Sequence, residues 1–123
     1  MKRLTTNKNV QEMSTTELAH NGCYLDENRR ARYRDYAIDV DARELAKRLI
    51  RADCREDLSR MPDEDFDCYI EEILAEGPDD CAGAIALLYR NICAMASMRE
   101  RLKNYEDIGT LDECREAMRK GMV

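Results

Sequence analysis

Residues 79–107 read DDCAGAIALLYRNICAMASMRERLKNYED, and the periodicity of that stretch decides the fold. Cys81, Ile85, Leu88, Ile92, Met95 and Leu102 recur at steps of four and three, with Arg99 interrupting the series. Such spacing puts apolar side chains on one face of an α-helix. Ala84, Leu87, Ala94 and Met98 form a second apolar row, so the first two-thirds of this helix is greasy on more than one side. A helix of about 29 residues is ~43 Å long at 1.5 Å per residue. A compact domain of this chain length is only ~35 Å across. The helix must therefore bend, with Gly83 the natural place, or project and meet a partner. The alternation runs for about two heptads, short for a coiled coil, and Ile85, Leu88, Ile92, Met95 and Leu102 are the candidate homodimer contacts.

Other helices flank it. Ser14 and Glu17 have the spacing of a capping box, and Gly22 stands where the helix they open would stop. This predicts a helix over about Thr15–Asn21, with Leu18 and Ala19 inward. Asp41 and Glu44 repeat the spacing before a stripe of Ala42, Leu45, Ala46, Leu49 and Ile50, and Arg43, Lys47, Arg48 and Arg51 take the opposite side. That helix frays near Asp53, and CREDLSRMP (54–62) reads as a linker or short turn. Pro62 suits a helix edge, and Phe66, Tyr69, Ile70, Ile73 and Leu74 form the next stripe, closed by Gly77 and Pro78. Gly109, then Thr110 with Glu113, opens a last short helix in which Leu111, Cys114 and Met118 face inward, stopped by Gly121. Residues 23–40 show no helical stripe. Two extended runs around DENRR (26–30) there predict a hairpin.

These elements predict one mainly α domain over 1–123, a small helical bundle with one long helix and a short N-terminal β-hairpin as the minor component. Residues 1–40 hold the first helix and hairpin, 41–107 the helical core, and 110–121 the C-terminal helix. MKRLTTNKNV (1–10) lacks the apolar stretch of a signal peptide, and no uninterrupted apolar run approaches a membrane span of ~20 residues. A cytoplasmic protein without membrane contact is expected.

Charge is unevenly spread. Residues 1–34 carry seven basic and four acidic side chains, residues 35–80 six and sixteen, and residues 81–123 seven and six. The acidic middle should repel nucleic acid and attract a basic protein surface. Its densest run is DEDFDCYIEE (63–72). Acids in a first turn are favoured by the helix dipole, by about 0.3–1 kcal/mol each. Asp63, Asp65 and Asp67 imitate the first ligand positions of a calcium loop, but Cys68 stands where that loop needs glycine and Leu74 where it needs a bidentate Glu. No metal site is expected. The candidate partner surface is Asp63, Glu64, Asp65, Asp67, Glu71, Glu72 and Glu76 with Asp79 and Asp80.

RRARYRDY (29–36) is a second candidate, with Arg29, Arg30, Arg32, Tyr33, Arg34 and Tyr36 able to contact nucleic acid or protein. Against an acidic protein, pairing of those arginines with Asp35, Asp39 and the acidic helix is the better expectation. Catalytic signals are sparse. His20 is the only histidine, and it suits the end of the first helix. Cysteines 23, 54, 68, 81, 93 and 114 form no Cys-x-x-Cys pair, so reduced thiols are expected rather than zinc ligands. GPDDCAG (77–83) lacks the lysine of a phosphate loop. No enzymatic activity and no cofactor are expected.

TELAHNGCY (16–24), ARYRDYAIDVDARELA (31–46), LLYRN (87–91) and MRERLKNYEDIG (98–109) together resemble a group of short uncharacterised proteins encoded by prophages and mobile elements of gut bacteria. IGTLDECREAM (108–118) is similar to a small C-terminal module of many of them. The resemblance implies a phage accessory protein and carries over no mechanism. Three readings follow: an acidic, non-enzymatic inhibitor of a host defence nuclease, in the manner of anti-CRISPR proteins; a homodimeric structural or regulatory adaptor; or, more weakly, nucleic-acid contact through residues 29–34.

Overall fold

The acid-rich linker between Arg34 and Ala42 is not loop alone: it carries a third strand. In the computed structural model, which describes residues 2–109 and 111–121, β1 (Cys23–Leu25), β2 (Ala31–Arg34) and β3 (Asp39–Asp41) form an antiparallel meander. Tyr24 pairs with Arg32, and Tyr33 with Val40. Asp26 makes the first turn, its Oδ1 accepting from the amides of Asn28 and Arg30. Asp35 makes the second through the amides of Ala37 and Ile38. An aspartate that bonds the backbone two or three residues on replaces the usual turn glycine. β3 ends on Asp41, which also caps the following helix by accepting from the amides of Arg43 and Glu44.

The helices are α1 (Thr15–Asn21), α2 (Ala42–Cys54), α3 (Asp63–Ala75), α4 (Cys81–Ile108) and α5 (Leu111–Arg119), with a 3₁₀ turn at Val10–Glu12. The fold is mainly α with a small sheet near the N-terminus. Ser14 and Glu17 make the reciprocal capping box at α1. Within α1, however, Leu18 is only half-buried and Ala19 is exposed, while Asn21 is the buried residue. A capping box at Thr110 lies outside the described residues, as does the side chain of Leu111. Met118 of α5 is largely exposed rather than inward.

One core joins α2, α3, α4 and the sheet: Ala42, Ala46 and Ile50 meet Phe66 and Ile70, and both sets close on Ile85, Ala86, Tyr89 and Ile92. Phe66 is fully buried, edge-on to Tyr89 with ring centroids 5.3 Å apart. Lys47, expected on the solvent side of α2, is buried; its stem follows the core and Nζ donates to the Met61 carbonyl at 2.9 Å.

α4 passes as one helix through this core. Gly83 is a point of close approach, where a Cβ would sit 2.3 Å from the Gly77 carbonyl oxygen. Beyond the core the helix is strapped by the N-terminal segment. The amides of Leu4 and Thr5 donate to the Glu106 carboxylate, Arg3 pairs with Asp107 at 2.7 Å, and Arg99 donates to the Thr6 carbonyl. By length and composition alone α4 is apolar enough to cross a membrane, yet Ile85, Ala86, Tyr89, Ile92 and Ala96 pack inside the protein.

Candidate functional site

Two surfaces of this fold carry unspent chemistry, the outer face of α3 and the outer face of α4. α3 opens at Pro62 with no side-chain cap, and Asp63, Glu64 and Asp65 fill its first turn. Phe66 and Ile70 are buried, while Tyr69, Ile73 and Leu74 are half-buried. The acids therefore divide between an edge that meets the sheet and a face that meets water.

At the sheet edge they are neutralised. Arg30 bridges Asp41 at 2.8 Å and Asp63 at 3.0 Å. Arg43 grips Asp67 with two nitrogens, Nε at 3.1 Å and Nη2 at 2.8 Å, and the Tyr89 hydroxyl donates to the same carboxylate at 3.0 Å. The Arg43 guanidinium holds the Asp67 carboxyl below the usual carboxylate range, with Tyr89 assisting. Beside the network lies a cleft of about 230 Å³ lined by Leu25, Arg29, Arg30, Arg43, Tyr89 and Ser97 among others. Burial pushes the Tyr89 phenol and the neighbouring Cys93 thiol upward, so both stay protonated at neutral pH.

The six remaining acids, Glu64, Asp65, Glu71, Glu72, Glu76 and Asp79, are exposed, and among the described residues no cation or donor engages their side chains. Asp80 is spent on capping α4, where it accepts from the Gly83 amide at 2.7 Å. Asp63, Asp65 and Asp67 do not converge on a point, because the first and third turn to arginines and Asp65 does not.

The basic and aromatic cluster is largely consumed inside the fold. Arg32 pairs with Asp39 at 3.0 Å. Arg34 stacks over the Tyr24 ring at 4.2 Å and donates to the Asn21 carbonyl. The Tyr33 hydroxyl bonds Asp35, and the Tyr36 hydroxyl bonds the Met13 carbonyl. Arg29, left-handed with φ 60° in the hairpin turn, is exposed, and among the described residues its guanidinium has no partner.

The expected dimer row on α4 is split by the fold. Ile85 and Ile92 are core residues and cannot meet a second copy, whereas Leu88, Met95 and Leu102 are exposed. These three belong to another stripe. Ala84, Leu88, Asn91, Met95, Met98, Leu102 and Tyr105 are all exposed and follow steps of four and three throughout. Met98 is 66% exposed, Tyr105 71% and the adjoining Ile108 73%. Choosing between adjacent apolar rows needed knowledge of where α2 and the sheet dock. Ala86 and Ala96, small enough for close helix contact, were the available signal.

The chain matches no protein-family model, no curated protein and no solved structure.

Proposed function

We propose that the chain is a non-enzymatic adaptor that works as a homodimer, joined along the outward stripe of α4 and displaying an acidic α3 face on each copy. The observation that carries this reading is the sustained alternation of exposed apolar residues from Ala84 to Tyr105, interrupted by Asn91 alone. An a/d seam of this kind is complementary to itself, so a two-fold pair buries the same side chains from both partners. Surface area supports it. The chain presents 8708 Å² to solvent. A compact monomer of 14.3 kDa presents roughly 6,800 Å², so the excess is roughly 1,900 Å², ample beside the ~800 Å² per partner of a standard interface. The phage-type resemblance and a cytoplasmic location fit such an accessory role.

Sedimentation velocity tests it. The wild type should sediment as a dimer, and Met95→Glu combined with Leu102→Glu as a monomer of unchanged helix content by circular dichroism. A wild type that stays monomeric at millimolar concentration removes the reading.

The six unengaged carboxylates of α3 and its following turn favour a second reading, an inhibitor that occupies the basic nucleic-acid channel of a host defence nuclease. Charge complementarity would speed capture and make it sensitive to salt. Inhibition that fades as salt rises, and that Glu71→Lys with Glu72→Lys abolishes, is the expected result. Absence of binding to any such nuclease at low ionic strength excludes it.

A further inference from the structure

Cys54 is the last residue of α2 and Cys81 the first of α4. Their Sγ atoms lie 2.8 Å apart, although the residues are separated by 27 positions. Neither sulfur is held on a loose loop. The two helices are locked together through Ala46, Ile50, Ile85 and Ala86, so their ends hold the thiols in register. Arg55, left-handed with φ 57°, turns the chain away immediately after Cys54, and the Asp80 cap fixes the start of α4 beside Cys81. Cys81 is exposed, while Cys54 is half-buried. We propose that Cys54 and Cys81 are a modification site, a dithiol that a small-molecule disulfide such as oxidised glutathione converts into an intramolecular disulfide tying α2 to α4.

The step is thiol–disulfide exchange. Cys81 is the sulfur an incoming reagent reaches first. Its thiolate attacks one sulfur of the small disulfide, breaking that S–S bond, releasing one thiolate and leaving a mixed disulfide on Cys81. The Cys54 thiolate then attacks the Cys81 sulfur and expels the second thiolate. The two protons lost by the cysteines end on the two departing thiols, so the protein is oxidised by two electrons and the reagent is reduced by two. The hydrogen bond with Cys81 comes first among the influences that push the Cys54 thiol up to about 11, followed by burial and the Asp53 and Asp80 carboxylates. Both exchange steps run through a thiolate, so oxidation should quicken as pH rises.

The closed loop spans residues 54–81 and contains all of α3, including its acidic face. The bond would fasten the helix that bears the charge. Cys23 and Cys93 are half-buried, and burial raises both thiols, so they compete poorly.

Reduced full-length protein is incubated with oxidised glutathione, then analysed by intact mass and by non-reducing peptide mapping. The expected product is lighter by two hydrogens, carries a Cys54–Cys81 cross-linked peptide and melts at a higher temperature until dithiothreitol is added. Cys54→Ser should stop at a glutathione adduct on Cys81, Cys81→Ser should form no link, and Cys68→Ser should behave as wild type. A lasting adduct on the wild type without a cross-link overturns the proposal. So does a link between other cysteines, or full alkylation of Cys54 and Cys81 after the incubation.

Discussion

Asn21 and Arg99, separated by 78 positions, meet inside the protein, where Arg99 Nε donates to Asn21 Oδ1 at 2.9 Å. Asn21 is fully buried, and its amide group is saturated. Oδ1 also accepts from the Thr6 amide at 3.0 Å, and Nδ2 donates to the Leu4 and Glu17 carbonyls at 3.0 and 2.7 Å. One side chain thereby joins the N-terminal segment, α1 and the distal half of α4. Asn21→Ala would leave buried donors and acceptors unmade, and a cost of about 2–4 kcal/mol is expected. Urea denaturation reads it as a lower midpoint at unchanged slope. A loss under about 0.5 kcal/mol, the range of ordinary surface substitutions, would show that the hub holds nothing together.

Gly83 supplies a prediction whose sign differs from the usual one. At an open helical site Gly→Ala gains about 1 kcal/mol. Here the added methyl would lie 2.3 Å from the Gly77 carbonyl oxygen and 2.9 Å from the Pro78 Cα, both backbone atoms. It would also press on the Asp80 carboxylate that caps α4, at 3.0 Å. Overpacking of this kind costs about 1–3 kcal/mol. A drop in thermal midpoint is expected for Gly83→Ala, and a rise would contradict the close approach of the α3–α4 turn to α4.

Much of this architecture was legible in local chemistry, because caps and stripes act over neighbouring residues. Ser14 with Glu17 and Asp41 before Arg43 and Glu44 opened helices where their spacing said they should. The stripe of Phe66 and Ile70 faced inward as its period required. What stayed hidden depended on distant parts of the chain. Two apolar rows on α4 share one period, so periodicity alone cannot say that Ile85 and Ile92 go inside while Leu88 and Met95 stay out. β3 stayed hidden because Asp39–Asp41, although it alternates, is only three residues long and aspartate is rare in strands. Pairing of the 29–36 arginines with the acidic helix was legible, and Arg30 does meet Asp63, whereas the grip of Arg43 on Asp67 was not, because Arg43 read as facing away from the apolar stripe of α2. The meeting of Cys54 and Cys81 follows from the packing of α2 on α4, which no spacing in the sequence records.

The Arg43–Asp67 pair predicts how stability responds to acid. Arg43, then Tyr89, lowers the folded-state pKa of Asp67 below its ordinary value of 3.8. The unfolded chain binds the proton first as pH falls, so the contribution is complete above about pH 4 and is lost as pH drops toward the depressed value. Stability measured by urea denaturation should therefore decline through that window in the wild type. Asp67→Asn should be less stable at neutral pH and show a shallower decline on acidification. Parallel curves for the two proteins would mean that the ion pair does not set the acid limb.

Lys47 gives the most direct test of a residue whose burial its charge conceals. Its ammonium donates to the Met61 carbonyl at 2.9 Å and lies 5.5 Å from the centre of the Phe66 ring. Its stem occupies the space between α2 and α3. Lys47→Met keeps most of that volume and removes the charge, so packing is largely preserved while the Met61 carbonyl loses its donor. The segment that joins α2 to α3 is otherwise pinned in the core by Leu58. A hydrogen bond from a charged donor is worth about 1.5–3 kcal/mol, and the removed desolvation of the ammonium offsets part of it. A net loss of about 1–2 kcal/mol is expected for Lys47→Met, with a larger loss for Lys47→Glu, which puts a carboxylate against a carbonyl oxygen and an aromatic face. Amide exchange should locate the effect, rising first across residues 55–62 while the centre of α4 stays protected. Stability of Lys47→Met equal to or above that of the wild type would mean that the ammonium costs more to bury than its bond to Met61 returns.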